Sequence, residues 1–194
     1  MANEFPKSGV GSGLIAYRVL GPRHLRVPIS SRAEGVGAGS GITSGGWMPL
    51  ALLGTKPDGA IIRLETGAVR ESVQEVPGIL KVLPREVLFN NMQYLFGASI
   101  HKPKDPYGNT FHTGVYYGLA VTEPEEVALC NLPTSKETSA PLRAVDIRWE
   151  VDNPTPEDLI GLPTDFHHDH ERYAYAALAQ MADRNRLWLD RVAA

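Results

Sequence analysis

The chain has 194 residues, of which 43% are hydrophobic and 21% charged, enough apolar material for one domain with a core of its own. Its net charge of −3 lacks the basic surplus of a general nucleic-acid binder. No stretch approaches the roughly 18 continuous apolar residues of a membrane helix, and the single cysteine, Cys130, leaves no intramolecular disulfide and fits a reducing compartment.

Residues 1–12 are polar and glycine-rich, with no basic start followed by an apolar run. They read as a flexible arm rather than a signal peptide, and the cytoplasm is the expected location. Residues 14–20 (LIAYRVL) read as a first strand and Gly21-Pro22 as a turn. Residues 24–29 (HLRVPI) alternate apolar and polar side chains and read as a second strand, weakened by Pro28 and ended by Ser31-Arg32.

Residues 33–46 contain Gly35, Gly37, Gly39, Gly41, Gly45 and Gly46. Glycines at alternate positions suggest a dinucleotide-binding turn, but that turn must open a helix. Trp47-Met48-Pro49 follows instead. A flexible loop beside a site is expected, because so many glycines carry an entropic penalty unless a ligand or partner orders them. No Gly-Lys-Ser/Thr follows the glycines and no G-x-S-x-G elbow occurs, which removes the P-loop and the serine-hydrolase readings.

Residues 66–76 carry the clearest helical pattern. Leu64, Ala68, Val69, Val73 and Val76 form an apolar stripe, while Glu71, Gln74 and Glu75 fall on the other side. Thr66 is the expected cap, and Pro77-Gly78 forbid continuation. Glu71 and Glu75 are one turn apart, so they repel by a few tenths of a kcal/mol, a cost that a hard cation such as Mg²⁺ would reverse. A solvated helix face is the plain alternative.

Beyond the helix, residues 81–90 and 93–100 read as extended, with Pro84 at a kink or edge, and residues 101–109 as a loop. Residues 111–121 (FHTGVYYGLAV) are the plainest strand of the second half, and residues 123–126 lead away from it. After a polar loop at 133–141, residues 142–151 form a further strand, and 154–159 a turn with an acidic helix start. Asp169-His170 opens a helix running through Gln180, with residues 182–194 as a helical extension. His167, His168 and His170 lie with three carboxylates in residues 165–171 (DFHHDHE), yet the spacing fits no zinc signature. Asp169 as a helix cap and Glu171 against the helix dipole are the expected roles. Cys130, in the apolar run of Val127, Ala128 and Leu129, is expected as an inert buried thiol.

Several of these segments resemble the Nudix hydrolase box, G-x5-E-x7-R-E-U-x-E-E-x-G-U with U aliphatic. Gly45-Gly46-Trp47-Met48-Pro49 is similar to the lead-in, Ala68-Val69-Arg70-Glu71 to the helix start, and Gln74-Glu75-Val76 with Gly78-Ile79 to its end. The box's first Gly and first Glu have no counterpart, Gln74 stands where one Glu belongs, Ser72 replaces an aliphatic residue, and Pro77 is inserted. Residues 144–149 (AVDIRW) resemble the family's late Arg-Trp strand, and Asp169-His170 the start of the closing helix of ADP-ribose-type members. The order of segments is the family's order.

The resemblance implies one α/β (α+β) domain over residues 1–194, a Nudix-like α/β/α sandwich with a mixed, partly closed sheet. It implies hydrolysis of a nucleoside diphosphate linked to another group, ADP-ribose-like compounds first, with Mg²⁺ or Mn²⁺ held by Glu71 and Glu75. Arg70 would pair with a carboxylate and fix its rotamer, and Arg32 would approach substrate phosphates or simply be a solvated strand-end charge. A homodimer is frequent in the family. The altered box leaves two further readings open. One is an enzyme that has lost its metal and works through His or Asp residues, His112 and His170 being candidates for general acid–base work. The other is a module that binds a nucleotide without cleaving it.

Overall fold

The computed structural model describes residues 9–31, 41–42, 44–49, 54–55, 61–62, 64–101, 111–133, 141–166 and 170–193. Arg32, most of the glycine-rich segment (33–40) and residues 167–169 lie outside these, as do the side chains of His112 and His170. In chain order the strands are β1 (Gly9–Gly21), β2 (His24–Ser31), β3 (Gly41–Ile42), β4 (Ser44–Pro49), β5 (Gly54–Thr55), β6 (Ile61–Ile62), β7 (Gln93–His101), β8 (Phe111–Ala120) and β9 (Arg143–Arg148). The helices are α1 (Leu64–Glu75), α2 (Ile79–Val82), α3 (Arg85–Asn91), α4 (Glu123–Cys130) and α5 (His170–Ala193).

Among the described residues, seven strands form one mixed sheet with the path β3-β2-β1-β8-β7; β4 joins on β1 and β9 on β2, while β5 and β6 pair apart. The long strand β1 organises it. One edge of β1 runs parallel to β8, from Val10 opposite Thr113 to Tyr17 opposite Ala120. The other edge is shared between two antiparallel partners, β4 from Gly9 to Leu14 and β2 from Arg18 to Gly21. Between Leu14 and Arg18 neither partner pairs with that edge, because β2 turns away to pair with β9. The sheet therefore forks.

Side chains alternate across β1 as the pleat requires. Leu14 belongs to one buried cluster with Ala68, Val69, Ile79 and Leu88, under α1 to α4. Ile15 and Tyr17 belong to the other, with Tyr175 and Leu178 of α5. Helices thus cover both faces of a mixed sheet, the α/β/α sandwich that the sequence predicts. On α5 the buried set Ala174, Tyr175, Leu178 and Ala179 repeats at helical spacing. The helix is continuous to Ala193, and Trp149 Nε1 donates to the buried Asp183 Oδ2 at 2.9 Å, tying its later turns to the chain beyond β9.

Five local expectations need correction. β1 takes in residues 9–12 of the expected arm, since Gly9 and Val10 already pair with Pro49 and Met48. Gly41, Gly45 and Gly46 of the expected loop are strand residues, and Gly45 and Gly46 find their hydrogen-bonding partners on β1. Residues 81–90 are mainly helical: Ile79, Leu83 and Leu88 are buried at helix-compatible steps, and Pro84 caps α3 rather than kinking a strand. Residues 123–126 begin α4, capped by Thr122 and Glu125 in a reciprocal pair of hydrogen bonds. Helix α1 begins at Leu64, so Thr66 lies inside its first turn and is not the cap. Its end follows expectation, with Gly78 at φ +96° just beyond Pro77.

One cross-strand pair gives the fold a measurable pH dependence. Arg26 of β2 faces Asp146 of β9, and Arg26 Nε donates to Asp146 Oδ1 at 2.5 Å, with His24 Nε2 at 3.6 Å. That hydrogen bond, aided by the charges of Arg26, His24 and Arg148, holds the Asp146 carboxyl below its ordinary range. A carboxylate with a depressed folded pKa stabilises the fold fully above its unfolded value near pH ~4, and the effect is lost as pH falls through the depressed value. The stability difference between the natural chain and an Arg26→Met variant, read by urea unfolding, is therefore expected to shrink below about pH 4. A difference that stays constant down to acid removes the pair from the account.

Candidate functional site

Helix α1 lies over the fork. Ala68, Val69 and Val76 are buried against the sheet, with Leu64 and Val73 packed partly beside them. Ser72 is also fully buried, where the resemblance expects an aliphatic side chain, and its hydroxyl donates to the Ala68 carbonyl at 2.8 Å. That bond satisfies a hydroxyl otherwise costly to bury.

On the outer side, Arg70 Nε donates to Glu71 Oε1 at 2.9 Å and a second guanidinium nitrogen reaches the same oxygen. Arg70 is exposed, Glu71 half-buried and Gln74 exposed. Glu75 is half-buried and lines a cavity of about 40 Å³ in the fork. Leu14 and Ala16 of β1, Pro28 and Ser30 of β2 and Ser72 of α1 form much of its wall. Tyr175 of α5 reaches the same cavity from the opposite layer.

Tyr175 belongs to a buried polar group on the α5 face together with Tyr116 and Glu171. Burial, reinforced by the nearby charge of Glu171 and by Tyr175, pushes the Tyr116 phenol well above its ordinary pKa. Tyr117, pointing to the other face, is pushed up to about 12, by burial first and then by Glu65 and Tyr94. Both phenols are neutral at any physiological pH. Burial likewise raises the Cys130 thiol, with Glu126 nearby adding to the shift. A raised thiol is a poor nucleophile, although Cys130 is half-buried rather than buried as expected.

The structure brings Arg70, Glu71 and Glu75 together on α1. His112 lies on β8 opposite Ile100, and His170 is the first residue of α5. A divalent ion in the family's manner would need several carboxylates on one point. Gln74 offers an amide, Glu71 is engaged by Arg70, and among the described residues no three His, Cys, Asp or Glu side chains converge as a metal site. Glu71 and Glu75, one turn apart on α1, are the carboxylates of the box helix that such an ion would meet.

Sequence reasoning missed the contributions of Ser30 and Tyr175 to this cavity. Tyr175 shows only as part of the apolar stripe of α5. Glu171, read as a first-turn partner of the helix dipole, does lie in the first turn of α5 and is buried there at 4% exposure.

No family model matches the sequence, and no curated protein sequence matches it. Among solved structures the chain is similar to a MutT/nudix family protein from Enterococcus faecalis, at 14% identity and a TM-score of 0.57. The alignment covers 94% of this chain and 64% of that one, so the chain spans just under two thirds of that protein's length. NrtR of Shewanella oneidensis aligns at 13% identity and a TM-score of 0.49, over 93% of this chain and 64% of its own. RenU, a Nudix hydrolase from M. smegmatis, aligns at 16% identity and 0.46, over 92% and 88%. Identities this low speak to architecture alone, and the likeness of fold rests on the first of the three. The chain carries a Nudix-like α/β/α fold.

Proposed function

We propose that this chain binds a nucleotide-like small molecule in the fork beside α1 without the divalent-metal site of ordinary Nudix hydrolases. The observation that carries this reading is the state of the box helix. Gln74 occupies a carboxylate position, Arg70 engages Glu71, and Glu75 faces a mainly apolar cavity. Binding without cleavage is one outcome, and hydrolysis through a histidine such as His112 or His170 is the other. Mg²⁺-dependent hydrolysis of an ADP-ribose-like compound is the second reading. It is favoured by Glu71 and Glu75 one turn apart on α1, with Arg70 in place to orient the first. A homodimer in the cytoplasm, made of one domain per chain, completes the proposal. No described helix is long and apolar enough to cross a membrane.

Thermal unfolding with ADP-ribose, in the presence and absence of Mg²⁺ or Mn²⁺, separates these readings. A ligand that binds only the folded chain adds about 2.7 kcal/mol at a hundred times its Kd, a shift of several degrees. ADP-ribose is expected to raise Tm equally with and without metal, and metal alone to have no effect. A metal-induced rise abolished by Glu75→Gln overturns this reading and restores the metal-dependent hydrolase. Product analysis of the same mixtures in chelator, repeated for His112→Ala and His170→Ala, tells a metal-free enzyme from a binding module.

A further inference from the structure

We infer that the cavity in the fork is an apolar subsite for a short unbranched saturated chain, the alkyl end of the small molecule held there. This rests on the reading of the fork as a ligand site, and it names the chemical class of the group that enters deepest.

Three observations carry it. The first is the composition of the wall. Leu14, Ile79, Leu83 and Leu129 are buried and line its inner end. They converge from β1, from α4 and from the segment around α2, so hydrocarbon meets the space from several directions. Pro28 and Leu142 are half-buried and continue the apolar lining toward the outside.

The second is the state of the polar side chains in that wall. The Ser72 hydroxyl donates to the Ala68 carbonyl of its own helix at 2.8 Å. Ser30, Glu75 and Tyr175 are each engaged in an interaction of their own. A phosphate, an ammonium or a sugar hydroxyl entering here must break one of those contacts or leave its own polar groups unmet, and both are strongly disfavoured away from water. A methylene group disturbs none of them and gains by leaving water.

The third is size and its origin. A cavity of about 40 Å³ holds roughly three waters by the same measure, or a chain of about three carbons. A phenyl ring or a nucleobase is too large. Ser72 keeps the space open: it is fully buried, with a side chain of two heavy atoms, where its neighbours in the stripe are Val69, Val73 and Val76. Packed interiors close such gaps because each one lowers stability in proportion to its volume.

The test is a methyl-region NMR titration of the full chain with the straight-chain alcohols from methanol to pentanol, read at Ile79, Leu83 and Leu129. Affinity is expected to rise about fourfold for each carbon added up to propanol. It then levels off, because further carbons lie outside the cavity. Propionate, n-propylammonium and tert-butanol are expected to give no saturable shift at these methyl groups. Ser72→Leu is expected to abolish the alcohol response while far-UV circular dichroism shows a folded chain. If that variant does not fold, Ser72→Ala decides, since it keeps the space and removes the hydroxyl. Undiminished propanol affinity there supports the subsite, and its loss overturns it. The subsite is also overturned by an affinity that stays flat from methanol to propanol or still climbs at pentanol, and by propionate or propylammonium matching propanol. An ADP-ribose response without an alcohol response overturns the subsite and leaves the ligand reading standing. An alcohol response without a nucleotide response supports the subsite and removes the nucleotide.

Discussion

Replacing Gly161 by alanine is expected to cost about 3 kcal/mol of stability, or on the order of 10 °C in Tm. Two causes add. Gly161 sits at φ +93°, a conformation an L side chain adopts only at a penalty of about 1–2 kcal/mol. A Cβ built there would also lie 2.1 Å from the carbonyl oxygen of Asp146. That oxygen is backbone of β9 and has no rotamer through which to escape. The turn is also pinned by reciprocal hydrogen bonds between Arg148 and Ile160, at 2.9 and 2.8 Å. Relief requires breaking that bridge or shifting β9 against β2. Gly78 is the internal control. Its φ of +96° is equally unfavourable, but its Cβ would only touch a Leu132 methyl at 3.4 Å, so Gly78→Ala should cost about 1 kcal/mol. Chemical denaturation of both variants checks the argument, and equal losses would show that the close approach at Asp146 contributes nothing.

The same contrast between local and long-range causes explains how much of the fold was legible in advance. β8, α1 and the opening of α5 were readable because each carries its own period over a sufficient run, as in Ala68, Val69 and Val76. α2 and α3 have four and seven residues, too few for a 3.6-residue period to separate from an extended run, and Pro84 pulled the reading toward a kink. The helix at Glu123 was signalled, however. Thr122 and Glu125 have the spacing of a capping box, and Pro124 suits a first turn. The added length of β1 was hidden for another reason. Gly9, Gly11 and Gly13 have no side chains to alternate, and they become strand only because β4 and β8 arrive on their two edges.

Of the candidate site, the pair Glu71 and Glu75 was legible because four-residue spacing on a helix fixes a shared side. The Arg70–Glu71 contact was expected from the resemblance, which has Arg70 pair with a carboxylate. The cavity was not legible. It exists because the β1–β2 ladder stops at Arg18 and Arg26 and the β4 ladder stops at Leu14, and no local pattern announces where a ladder stops. Ser72 and Tyr175 line this cavity from opposite layers. Ser72 could be noticed as an odd residue in the box, but only the tertiary structure turns that oddity into volume.

The second large effect is expected at Arg18, whose loss strands a buried charge. Arg18 Nε donates to Glu126 Oε2 at 2.6 Å, and the Glu126 side chain is only 4% exposed. A second guanidinium nitrogen meets Glu123 at 3.1 Å, but that carboxylate is 69% exposed and contributes little. The bond to Glu126 joins the first turn of α4 to β1. Arg18→Met keeps the aliphatic stem and removes the cation, leaving a carboxylate in a low-dielectric site. Breaking a buried pair from one side costs about 3 kcal/mol, here toward the lower limit because Arg18 itself reaches solvent. Water entering around Glu126, or its protonation, would recover part of the cost. The expected result is therefore a loss of about 2–3 kcal/mol for Arg18→Met near neutral pH. The double variant Arg18→Met with Glu126→Gln should lose distinctly less, since no charge is then left buried and unpaired. If the double variant is as unstable as the single one, the damage comes from lost packing around the arginine stem, and the ion pair is not what holds α4 to the sheet.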